Sequence, residues 1–151
     1  MKEVVVRVKE LMPIILEKIE KNEKAQLKVK GSSMEPFLHS DQTTVTLAKI
    51  KSIQRFDIIL FSIDHENYIL HRIIHITKNG IITMGDALRQ KEVVDGDNII
   101  AKVIAFEYHG KKVYIESKGY RLKVRLWVFF RPFRRILMKM NRMMKRGDSS
   151  E

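Results

Sequence analysis

Two short segments carry the residues best suited to covalent chemistry. Val29-Lys30-Gly31-Ser32-Ser33-Met34-Glu35-Pro36 sets a serine between a flexible Gly-Ser pair and a Met-x-Pro turn, straight after a β-rich run. A serine hydroxyl is a poor nucleophile at neutral pH and needs a neighbouring base to take its proton. Tyr68-Ile69-Leu70-His71-Arg72-Ile73-Ile74 offers one in His71. Imidazole changes charge in the neutral range, which suits it to accept a serine proton and return it to a leaving amine. Each residue also has a plainer reading, Ser33 as a turn residue of Gly-Ser-Ser and His71 as a half-buried strand histidine. His75, four residues on, would share a face with His71 on a regular strand and raises a two-histidine metal site. None of His39, His65 and His109 stands at a spacing that completes a ligand set, so neither metal nor cofactor is expected.

Four stretches, in this order, resemble the boxes of the signal peptidase I family and of the related self-cleaving repressor peptidases. They are Ser33-Met34-Glu35-Pro36, Asp57-Ile58-Ile59-Leu60-Phe61, Leu70-His71-Arg72-Ile73 and Gly85-Asp86, within a span of Leu27 to Phe106. The third is similar to the branch in which histidine replaces lysine as the base. Phe56 stands where a glycine is usual before the aspartate. The resemblance implies that Ser33 attacks the scissile carbonyl and becomes an acyl-enzyme, that its backbone N–H helps hold the oxyanion, and that Ser32, Met34 and Pro36 lie on the substrate and oxyanion side. Relatives often carry a second serine two residues before the nucleophile; here that position is Gly31, and Ser32 is adjacent instead. An acid should orient the base, as in other triads. The resemblance offers Asp86, of the Gly-Asp box, and Glu92, which falls on the second of the paired aspartates in histidine-type members. Either could serve; Asp86 is the first choice, and its other reading is structural, tying down a turn. Arg72, expected on the opposite strand face from His71, reads as surface or structural, and Asp95 and Asp97 read as a polar turn.

Composition bounds the alternatives. The chain has 151 residues, enough for one domain with a real core, and no cysteine, which excludes disulfides, thiolate metal sites and a thiol nucleophile. Its formal net charge of +11 is unevenly placed. Lys118 to Arg146 holds 11 Lys or Arg and no acid, against 18 basic and 16 acidic side chains in residues 1–117. The same tail is apolar at Leu126, Trp127, Val128, Phe129, Phe130, Phe133, Ile136, Leu137, Met140 and Met144, with Arg134, Arg135, Lys139, Arg142 and Lys145 on the other helix face. A basic amphipathic helix of this kind reads as an interfacial membrane element or a docking helix for an acidic partner, and equally as a terminal helix packed on its own domain. No apolar run approaches the roughly 20 residues of a membrane span, and Val4 to Val8 is too short for a secretory signal. The expected location is therefore the cytoplasm, with peripheral contact on the inner membrane face through residues 118–146.

The elements needed to position the two segments are legible. An apolar stripe at Val8, Leu11, Met12, Ile15 and Ile19 predicts a helix from at least Pro13, closed by Lys21-Asn22-Glu23-Lys24. Strands are predicted at 27–29, 43–50, 57–63, 68–76, 81–84, 99–108 and 111–116, with hairpin turns at Asn79-Gly80 and His109-Gly110. The expected fold is mainly β, a coiled, partly closed antiparallel sheet of the signal peptidase type with N- and C-terminal helices. A catalytic part would span residues 1–117 and a basic tail residues 118–151. The function this implies is a serine endopeptidase that removes a leader or signal segment from a precursor protein or peptide. The alternative is a non-catalytic peptide- or membrane-binding module on the same fold. Nucleic acid is not an expected partner, since only the basic tail suggests it and no helix-turn-helix pattern precedes Ser33.

Overall fold

The computed structural model describes residues 2–133, 136, 139, 140, 143 and 144. Arg134, Arg135, Leu137, Arg142 and Lys145 of the predicted amphipathic tail, and the side chain of Val8, lie outside the described residues. The chain divides into two compact units, Met1–Glu116 and Ser117–Glu151.

The first unit opens with helix α1 (Lys2–Glu20), which runs through Pro13 instead of starting there. An interior proline costs about 3 kcal/mol. Met12, Ile15 and Ile19 are buried on one face, and at about 1.5–3 kcal/mol each they outweigh that cost. Leu11 and Ile14 are exposed, so the apolar stripe is narrower than expected. Asn22 ends the helix in a left-handed conformation (φ +60°), with Glu23 N–H donating to the Lys18 carbonyl (2.8 Å) and Asn22 N–H to Ile19 (3.0 Å). This is the Schellman closure, in which two otherwise orphaned carbonyls find donors.

Eight antiparallel strands follow: β1 (Ala25–Lys28), β2 (Thr43–Ala48), β3 (Ile58–Ser62), β4 (Tyr68–Thr77), β5 (Gly80–Met84), β6 (Lys91–Val94), β7 (Ile99–Tyr108) and β8 (Lys111–Tyr114). Their order is β1-β2-β7-β3-β4-β5-β6, with β8 also paired to β7, so the sheet is open, and β1, β6 and β8 each pair on one side only. The mainly β architecture between terminal helices is the one the pattern predicts. β2 alternates buried Thr43, Val45 and Leu47 with half-buried residues, as a one-faced strand should. β3 is buried at all five positions, a central strand covered on both faces. Ile59, Phe61, Ile73, Ile81 and Val94 from four strands form one apolar cluster beneath the β3–β6 half.

Two local devices shape that half. β4 carries a bulge: Ile73 pairs with Thr83 and His75 with Ile82, leaving Ile74 as the extra residue. Four consecutive residues, His71 to Ile74, are therefore buried, while His75 is exposed. The loop before β3 clamps onto this bulge. Phe56 N–H donates to the Ile73 carbonyl, Ile73 N–H to that of Asp57 (both 2.8 Å), and Arg55 Nε to that of Ile74 (2.8 Å). To make these contacts Phe56 adopts φ +75°, a conformation glycine takes freely and a bulky residue does not. At the β3–β4 turn the Asp64 carboxylate accepts from the backbone N–H groups of Asn67 (2.8 Å) and Glu66 (3.1 Å), which holds its pKa below the usual carboxylate value.

The second unit begins with α2 (Lys118–Phe129). A turn at Phe130 separates it from further helical residues that start at Arg131, with Pro132 in their first turn, where a missing N–H costs nothing. Among the described residues no helix is long and apolar enough to cross a membrane.

Candidate active site

Ser33 begins the tight turn that follows β1. Gly31 (φ +80°) bends the chain and its N–H donates to Ser40 Oγ (3.0 Å). Met34 and Leu38 bury their side chains completely, and the Met34 carbonyl accepts from Phe37 N–H (3.1 Å) and Leu38 N–H (2.9 Å). Met34 is thus a core anchor that fixes the turn and is not placed to line a substrate surface. Ser33 is half-buried beside it, Ser32 and Pro36 are exposed, and the Glu35–Pro36 peptide is cis.

His71 lies in β4 at 4% exposure, edge-on to the Phe61 ring (6.2 Å between centroids). Its Nδ1 is 3.0 Å from Glu92 Oε2, and Thr83 Oγ1 donates to the same carboxylate oxygen (3.0 Å). Thr83 and Glu92 are cross-strand partners on β5 and β6, and Thr83 is paired on its other side with Ile73 of β4. Three neighbouring strands therefore set the acid against the base. A carboxylate at Nδ1 assigns the proton there and leaves Nε2 as the acceptor nitrogen.

Gly85 joins the two halves of the site. A Cβ built there would fall 3.0 Å from His71 Nε2 and 2.6 Å from the Ser33 carbonyl oxygen, so one point touches both the imidazole edge and the serine backbone. That approach is open only to glycine. The Ser33 carbonyl also accepts from Ala87 N–H (3.0 Å), which ties the serine turn to the segment leaving β5.

Of the two readings of Asp86, the structural one fits its placement. Both its oxygens are held by Arg72, Nε to Oδ1 at 2.8 Å and Nη2 to Oδ2 at 2.7 Å, with the two side chains 0% and 2% exposed. Arg72 also donates Nη1 to the Phe56 carbonyl (2.9 Å) and lies 5.2 Å from the Phe37 ring centroid. Of the two expected readings of Arg72, structural is the right one. It pins the serine turn, the loop before β3 and the Gly85-Asp86 segment together. The first choice of acid is corrected accordingly: Glu92, and not Asp86, reaches His71.

The remaining candidates disperse. The bulge turns His75 away from His71, His39 stacks on Tyr108 (4.5 Å), and His109 meets Gln42. No group of three potential metal ligands exists among the described residues. Asp95 caps the short 3-10 turn Gly96–Asn98, as a polar turn residue should. A cavity of about 300 Å³ lined by Asp57, Lys102, Tyr114 and Glu116 contains neither Ser33 nor His71. Sequence reasoning missed β6, which carries Glu92. Its signal is four residues with a single buried one, Val94, too short to register as alternation.

No family model matches the chain, and no curated protein matches it significantly.

Proposed function

We propose that the chain is a serine endopeptidase of the kind its motifs resemble, with Ser33 as nucleophile, His71 as base and Glu92 as the residue that orients it. The observation that carries this reading is the His71 ring held between Glu92 at Nδ1 (3.0 Å) and, at Nε2, the Gly85 position that also abuts Ser33. Nε2 takes the Ser33 proton as Oγ attacks the scissile carbonyl. The same nitrogen then protonates the departing amine, leaving an acyl ester on Ser33. A water deprotonated by His71 cleaves the ester and frees the new carboxyl terminus. Glu92 keeps the proton on Nδ1 and stabilises the imidazolium formed in each step.

An extended peptide is the substrate best suited to this surroundings. The pairing of β4 with β5 runs from Arg72 to Thr77 and stops short of Tyr68–Leu70, directly before His71. A substrate strand laid along that edge would bring its carbonyl towards Ser33, with main-chain hydrogen bonds supplying affinity. We assign it to a leader or signal segment of a precursor, with small side chains near the scissile bond, processed in the cytoplasm. The test is mass spectrometry of a pool of leader-bearing peptides incubated with wild type and with Ser33→Ala. Wild type should produce discrete fragments, and the variant should lose at least about a thousandfold in rate while unfolding at the same temperature. Equal rates, or no cleavage by either, would leave a non-catalytic peptide-binding module as the better account.

A further inference from the structure

We infer that the second unit is an interfacial membrane-binding element whose ligand is an anionic lipid surface. Its first helix is apolar on two sides. Tyr120 and Val124, four residues apart, are buried at 6% and 1%, which accounts for one side. Leu122, Leu126 and Phe129 stand exposed on the other side, and past the turn Phe130, Phe133, Ile136 and three methionines, all exposed, continue the apolar series. Phe129 and Phe130 meet edge-to-face at 5.2 Å and Phe130 lies 6.3 Å from Phe133, so three aromatic rings form one outward cluster.

Charge selects the occupant. The 11 Lys or Arg between Lys118 and Arg146 stand without one acid, and Lys123, Arg125 and Lys139 are exposed. A folded acidic partner would need matching groups at fixed positions, whereas an anionic bilayer meets basic side chains wherever they point and receives the apolar series in its acyl boundary. A nucleic acid would use the cations and stack bases on the phenylalanines, but it would leave Leu122, Leu126, Ile136 and the methionines in water. Trp127 is half-buried, so Phe129, Phe130 and Phe133 carry the insertion.

The full-length protein is sedimented with phosphatidylglycerol vesicles and with phosphatidylcholine vesicles at low salt. Binding to the first and not the second, weakened by added salt, is expected. Each basic residue near an anionic surface is worth about fivefold in partitioning, so K123Q/R125Q/K139Q together should weaken binding by about a hundredfold. F129S/F133S should weaken it at least as much at unchanged charge. Because these residues lie outside the proposed peptidase site, both variants should cut leader-bearing peptides in solution at the wild-type rate, which separates failure of this proposal from failure of the peptidase reading. Wild type remaining in the supernatant with phosphatidylglycerol, or F129S/F133S binding like wild type, overturns it.

Discussion

His71 and Arg72 are adjacent on β4, and each is paired with a carboxylate, yet the two pairs are built for different ends. Arg72 and Asp86 are dry and joined in a bidentate pair, at 0% and 2% exposure. His71 and Glu92 are joined by one contact, and the Glu92 side chain is 23% exposed. A guanidinium cannot give up its proton in a protein, so Arg72 can only hold geometry. Imidazole can take up a proton and release it again. On the proposed reading, chemistry falls to the reversible pair and architecture to the irreversible one.

Exchanging the carboxylates for amides should separate them. Glu92→Gln is expected to reduce turnover by about 10³- to 10⁴-fold, because the amide no longer enforces the proton on Nδ1, with little change in unfolding temperature. Parallel kinetics and thermal melts measure both, and wild-type turnover would leave a Ser-His dyad without a third member. Asp86→Asn should do the reverse. Stripping the charge that faces a fully buried guanidinium costs about 3–5 kcal/mol of stability, a large share of what a domain has. The double replacement R72M/D86L should recover most of that in denaturant unfolding, since an apolar pair leaves no charge unpaired. A third, smaller contrast is in pH. Peptide cleavage should weaken on acidification, because only neutral imidazole accepts the serine proton, and a rate unchanged on acidification would remove His71 from the mechanism.

The same pairs mark what a single sequence reveals. Ser33 and His71 stand out because a Met-x-Pro turn and an apolar run around a histidine are local patterns. The strands β2, β3, β4 and β7 are local in the same sense, being long or rich in β-branched residues. The choice between Asp86 and Glu92 is not local: it depends on which strand edge a four-residue polar segment finds, and on a bulge invisible in the alternation of β4. Arg72 read as surface or structural for a similar reason, since an arginine is buried only when a distant carboxylate arrives to meet it. Pro13 gave only the latest point at which the helix could begin, because packing of Met12, Ile15 and Ile19 overcomes the local penalty of an interior proline and lets the helix start earlier.

The bulge at Ile74 makes β4 far more sensitive to length than to composition. Exchanges among Ile, Val and Leu keep its backbone path, and the core should absorb them for less than about 1.5 kcal/mol each. Loss of one residue there is another matter. With β3 still pairing His71 to Ile59, a regular β4 would carry the β5 hairpin along by one position, about 3.4 Å. Gly85 would no longer sit against the imidazole, and Glu92 would be drawn off Nδ1. Descendants of this sequence can therefore drift freely in the side chains of β4, while a single lost codon would end the site in one step.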